Sequence, residues 1–322
     1  MPGISTTTPT GTLAADRALP SGQTVGLMAT AHLRGPRRLS GTHARSVLPT
    51  LPAILPRDAR RYQIVTLAVL LGYGMVGLGL DVGLPQAAVT LAAVQGTQIL
   101  ATWLVGAWRF DPWSALISGL SLCLLLRTES LGLAAVAAAL AIASKFVLRV
   151  RDKHVFNPTN FAIVAMLLLT DRVWVSPGQW GSTATFAFLL GAAGGLVVNR
   201  AARADVTLAF LATHALLLLG RSWWLGEPWA TPFHRLESGA LVLFAFFMIS
   251  DPRTTPDSRR GRLLFAIVVA LGAYWVQFKL FRPNGLLWSL AASSVAVPIV
   301  DRILPGPRYA WLPDRQPRRT RS

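Results

Sequence analysis

From Tyr62 onward the chain is a succession of apolar runs separated by short polar breaks: 62–80, 84–106, 113–126, 130–149, 158–170, 184–199, 205–220, 236–250, 262–281 and 285–304. Crossing the hydrocarbon core of a bilayer takes a helix of about 20 apolar residues. Most of these runs approach that length, so the pattern predicts an all-α, polytopic membrane protein of about ten transmembrane segments. Three runs, 113–126, 158–170 and 236–250, are too short to cross alone, and short or interrupted helices are where transporter folds place their broken segments. The spacing also suggests duplication. Ser118-Gly119 leads SGLSLCLLLRTES, and Ser238-Gly239 leads SGALVLFAFFMISDP; the run behind Asn157-Pro158 is echoed by the run behind Pro283-Asn284-Gly285. Five runs per half would set the two copies facing opposite ways, so 62–170 and 184–304 are expected to be inverted repeats. Chance likeness among leucine-rich helices is the competing explanation.

Composition and charge narrow the class. The chain is 52% hydrophobic and 14% charged, against about 25% charged in an ordinary soluble domain, which leaves no room for a soluble enzyme domain. The net charge of +17 forms no single patch of the kind that binds nucleic acid; the expected partner is the lipid bilayer. Residues 1–61 hold eight arginines against Asp16 and Asp58, with no apolar signal segment, and are expected to be a flexible basic extension. Residues 305–322 form a second basic tail. Loops on the side of the two ends carry ten Arg and Lys, the opposite loops six, so both termini are expected in the cytoplasm and the protein in the plasma (inner) membrane. Cys123 is alone and reads as packing, and the five histidines have no metal-ligand spacing.

The candidate chemistry lies where polar residues interrupt the apolar pattern. Asn157 is a good N-cap and Pro158 suits the first helical position; together with Asn160, one turn on, they place free N–H groups and a positive dipole end at a sharp helix start, suited to an anion, a carbonyl or a flavin edge. A plain capped helix at the membrane surface explains the same residues. In Ser250-Asp251-Pro252-Arg253-Thr254-Thr255, Asp251 and Thr254 could bind a cation, or Asp251 could cap its own backbone. Lys145, inside an apolar helix, is either functional or snorkels along its stem to the interface. Gln98 and His214 either line a polar path between the halves or make interhelical hydrogen bonds. Asn284 heads the last run.

The runs HVFNPTNFAIVAMLLL, SALISGLSLCLLL and SGALVLFAFFMISDPRTTP together resemble the NqrB/RnfD family, the membrane subunits of ion-pumping NADH:quinone (Nqr) and ferredoxin:NAD (Rnf) oxidoreductases. The resemblance implies ten helices in two inverted halves, a fold similar to urea and ammonium channels, a flavin between the halves, other subunits of a membrane electron-transport complex as partners, and Na+ or H+ movement coupled to electron transfer. Catalytic members of that family attach FMN to the threonine of a Ser-Gly-Ala-Thr sequence. Here the nearest match is Ser182-Thr183-Ala184-Thr185, with a β-branched residue where glycine would be free to take a positive φ; Thr185 is the position the resemblance gives for the flavin. Three functions stay open: a membrane component of such a complex, a stand-alone transporter or channel for a small polar solute without redox chemistry, and a structural partner within another complex.

Overall fold

The computed structural model describes residues 58–77, 81–106, 110–176 and 203–309, all within one compact unit, Pro52–Ser322. The elements of the first half follow from local signals. α1 (Ala59–Gly77) and α2 (Leu84–Leu104) are long apolar helices, the second with proline in its first turn. α3 (Pro112–Leu125) starts where the Asp111 side chain accepts from Ser114 N, and α4 (Leu131–Val147) where the Ser130 hydroxyl accepts from Leu133 N. A two-residue hairpin then pairs β2 (Arg149–Val150) with β3 (Lys153–His154). Arg151 and Asp152 turn it with φ of 51° and 62°, the left-handed pair a tight hairpin demands. Asn157 caps α5 (Pro158–Leu169), its side chain accepting from Asn160 N.

In the second half, α6 (Ala204–Leu225) ends at Gly226 with φ of 66°, followed by α7 (Ala230–Leu236) and α8 (Gly239–Leu243). α8 runs into a π turn at Phe244–Met248. α9 (Arg259–Phe278) is capped by Ser258, α10 (Gly285–Ser294) follows Asn284 at φ 61°, and α11 is Val297–Ile303. α2, α6 and α9 are long and apolar enough to cross a membrane, and α10 with α11, bent by 50°, pass that test together. Their outward faces carry Ile99, Leu100, Trp103, Leu208, Leu216, Leu271 and Trp275 in exposed positions, as lipid-facing surfaces do and water-facing ones rarely do.

Four features depart from the pattern reading. Run 236–250 is two pieces, with a break at Glu237-Ser238 and a π turn. Run 285–304 bends at Val295-Ala296, because Pro298 lacks a donor and crowds the carbonyl four residues back. The chain is not wholly helical: besides the hairpin, β1 (Leu126–Thr128) pairs antiparallel with β4 (Val173–Val175), fastening the end of α3 to the end of α5. Ser118-Gly119 sits in the middle of α3, whereas Ser238-Gly239 opens α8, so the two pairs occupy different places in their helices. Run 184–199 lies outside the described residues.

Packing has a definite order. In the first half α4 lies against α2 and α5, in the second α9 lies against α6 and α10, and α5 meets α10 where the halves join. Gly119 makes one close approach possible: a Cβ there would stand 2.8 Å from a Val94 methyl. Val94, Ile142, Ile163, Phe210, Phe244 and Val269 are buried in one continuous apolar core.

Candidate functional site

The starts of α1, α3 and α5 and the ends of α4 and the π turn converge on a cavity of about 60 Å³. Its walls include Arg60, Ser114, Lys145, His154, Asn157 and Asp251, with Arg253 at its edge. Lys145 is 6% exposed and does not snorkel. Its Nζ donates to the Ser114 carbonyl at 2.8 Å and the Ser114 hydroxyl at 3.2 Å, turning the charge inward across the α3–α4 packing.

Asn157 does two things at once. Its Oδ1 accepts from Asn160 N at 3.1 Å, and its Nδ2 donates to Asp251 Oδ2 at 3.3 Å and to the Met248 carbonyl at 3.5 Å. The cap of a first-half helix is thereby hydrogen-bonded to the turn that ends a second-half helix. Asp251 also caps its own turn: Oδ1 accepts from Arg253 N at 3.0 Å, and its carbonyl accepts from the hydroxyls of Thr254 and Thr255. Burial raises the Asp251 carboxyl above the usual carboxylate range, partly offset by the Arg253 amide and by the charges of Arg253 and Lys145. Burial likewise pushes the His154 imidazole down to about 3, aided by the Arg253 and Lys145 charges.

Of the residues singled out from the sequence, Lys145, Asn157, Pro158 and Asp251 line this cavity, and Thr254 shares the Asp251 turn. Asn160, fully buried, donates to the Leu287 carbonyl of α10 at 3.2 Å, while its Oδ1 has no partner. The others stand apart. Gln98 bonds along its own helix to Thr102, with its Oε1 unpartnered; His214 stacks on Phe210 at 5.6 Å; Asn284 heads α10 without a side-chain cap bond; Thr185 lies outside the described residues. The pattern reading missed Arg60, which reaches Asp58 and Asp111 at 2.8 and 2.9 Å, and Ser114. Their signal was available, since Asp111-Pro112 repeats the cap-then-proline pattern of Asn157-Pro158. Beside the cavity, Lys153 is clamped between Asp257 and Asp301 at 2.9 and 2.6 Å. Among the described residues no group of three or more His, Cys, Asp or Glu is placed to hold a metal ion.

Residues 168–309 match the model for the NQR2, RnfD, RnfE family. That stretch covers α6 to α11 and the Asp251 turn, and it bears out the resemblance read from the sequence. Asn157 and Lys145 fall just outside it. RnfD of Escherichia coli K12, a protein named as part of an ion-translocating oxidoreductase complex, is 36% identical over 134 residues, 41% of this chain and 33% of that protein. The protein of the same name from Erwinia tasmaniensis is 31% identical over 148 residues, 45% of this chain and 37% of its own. The aligned stretch thus spans about a third of the length of these relatives.

The flavin that the resemblance implies does not fit at Asn157, Pro158 and Asn160. Pockets for cofactor-sized ligands run to roughly 300–1,000 Å³, and this cavity has about 60 Å³, room for a few water molecules. Apart from Asn160 Oδ1, the side-chain polar groups that would face a flavin edge are already engaged with one another, with Met248 and with Leu287.

Proposed function

We propose that this chain is an integral membrane subunit of an ion-coupled electron-transport complex, supplying the ion path while partner subunits carry the electrons. The likeness to proteins named as subunits of an ion-translocating oxidoreductase complex supports the class. The observation that carries the reading is the meeting of Lys145, Asn157 and Asp251, from opposite halves of the chain, at one buried cavity. Charged groups within apolar helices and their turns are costly, and they collect where ions pass.

On this reading residues 62–304 form a membrane domain of ten segments in two inverted halves, with 1–61 and 305–322 as basic cytoplasmic extensions. The order in which the helices pack supports it: α2, α4, α5 in one half and α6, α9, α10 in the other, joined through α5 and α10. On this reading the ion site lies where the two repeats meet, as in transporters of inverted-repeat type.

The test is purification from native membranes followed by ion-flux measurement in reconstituted vesicles. Flavin- or cluster-bearing proteins are expected to co-purify, and electron-driven ion uptake is expected to be lost in Asp251→Asn while electron transfer through the partners continues uncoupled. Solute flux by the isolated chain, with no redox partner retained, would replace this reading with that of a stand-alone channel.

A further inference from the structure

We propose that the groove between the far ends of α6 and α9 binds one anionic phospholipid of the surrounding membrane, its phosphate held by Arg221, Arg235 and Lys279 and an acyl chain laid along α6. The site lies apart from the Asp251 cavity and goes beyond the ion path.

Depth in the membrane is the first ground. Arg262, near the start of α9, holds Asp205 near the start of α6, and Arg221, near the end of α6, lies 4.4 Å from the ring centroid of Phe278 at the end of α9. The two helices therefore run side by side in the same direction. From Asp205 to Arg221 the helix rises about 24 Å, most of the roughly 30 Å of a hydrocarbon core. The groove thus sits at the membrane face opposite the Asp257 turn, whose carbonyl accepts from Arg262. Trp223, Trp224 and Trp229 are exposed at this end, and tryptophan collects at the level of the headgroups.

Shape is the second. The groove encloses about 500 Å³ between Leu216, Leu217 and Trp224 on one side and Tyr274 and Phe278 on the other, a volume in the range of ligand sites. Gly220 keeps it open. A Cβ there would meet nothing within 4 Å, so this glycine serves no close packing within the chain, although glycine weakens a helix interior. Phe281 stands at the mouth with its side chain 84% exposed. Its φ of 51° is a left-handed backbone that a bulky residue rarely adopts.

Charge selects the occupant. Arg221 and Arg235 both lie over the Phe278 ring, at 4.4 and 5.0 Å, which fixes two guanidinium groups at the rim. Arg221 also pairs with Glu227, whereas Arg235 and the exposed Lys279 have no ion pair among the described residues. Three cations against one carboxylate leave the rim positive, and guanidinium groups suit phosphate oxygens. A soluble anion would satisfy the rim and leave the apolar slot below it empty. A phospholipid fills both, since its phosphate and its chains are joined at this depth.

The test is native mass spectrometry of the full chain released from vesicles of phosphatidylglycerol and phosphatidylcholine in equal parts, with the unfolding temperature followed as each lipid is titrated in detergent. One phosphatidylglycerol per chain is expected to survive detergent washing, with an affinity at least about tenfold above that of phosphatidylcholine. The double variant Arg235→Gln, Lys279→Gln, which leaves the pair of Arg221 and Glu227 intact, should erase that preference. Gly220→Leu should fill the slot and lose the lipid too, yet unfold in phosphatidylcholine alone at or above the wild-type temperature, because the new side chain enters open space and favours the helix. Equal retention of the two lipids by the wild type would overturn the proposal. So would retention that survives either variant, since apolar wetting or surface charge alone would then explain it, and so would equal stabilisation by soluble glycerol 3-phosphate, which would make the groove a site for a free anion. None of these readouts involves ion or electron transfer, so they stand or fall apart from the ion path.

Discussion

His154 stands in the hairpin beside the cavity, and burial holds it neutral at ordinary pH. Its folded pKa, about 3, lies below the unfolded value of about 6.5. The folded protein then binds fewer protons than the unfolded chain between those limits, so this contribution to stability is complete above about pH 6.5 and is lost as pH falls toward 3. His154→Gln is expected to flatten the acid side of the melting-temperature curve, which differential scanning fluorimetry on the purified protein can measure. Asp251 has the opposite sign. Its raised pKa gives stability that is present below about pH 3.9 and is lost as pH rises through the folded value. Comparing each variant with the wild type separates the two slopes.

At the scale of elements, the π turn at Phe244–Met248 decides where Asp251 points. A π turn holds one residue more than the α-helical turn it replaces, so removing one would rotate everything after it by about 100°. Deleting Ala245 is expected to restore a plain helix and swing Asp251 away from Asn157. The protonation midpoint of its carboxyl, read by infrared spectroscopy across pH, should then fall toward the ordinary aspartate range. Element positions were legible because hydrophobic runs and caps carry them: Pro112, Leu131, Pro158, Ala204 and Arg259 open helices within a few residues of the predicted starts. The π turn and the bend at Val295-Ala296 were not, because no period in the sequence distinguishes a helix with an extra residue from one without. The pairing of Leu126–Thr128 with Val173–Val175 was hidden for another reason: three-residue strands are too short to show alternation.

Across the whole molecule, the candidate site could be read residue by residue but not as an assembly. Asn157, Asp251 and Lys145 each stand out against their apolar surroundings, whereas the contact between positions 94 residues apart, Asn157 and Asp251, depends on how the halves pack. Gln98 and His214 stood out equally and lie elsewhere, since a buried polar residue by itself does not say which neighbour it serves. The predicted orientation can be checked directly: reporters fused at each end, active on only one side of the membrane, should both signal the cytoplasm. Lys153 ties distant parts together through Asp257 and Asp301. Lys153→Ala would leave two largely buried carboxylates facing each other and is expected to cost about 3–5 kcal/mol, read as a drop in unfolding temperature.

The same clamp bears on how the sequence can drift. A lysine shared by two carboxylates from later in the chain makes three positions answerable to one another, because losing any one leaves buried charge without its counterpart. Substitutions at 153, 257 and 301 should therefore arrive in company: a lineage that gives up the lysine should shed its acids soon after, and one that keeps a single acid should still keep the lysine.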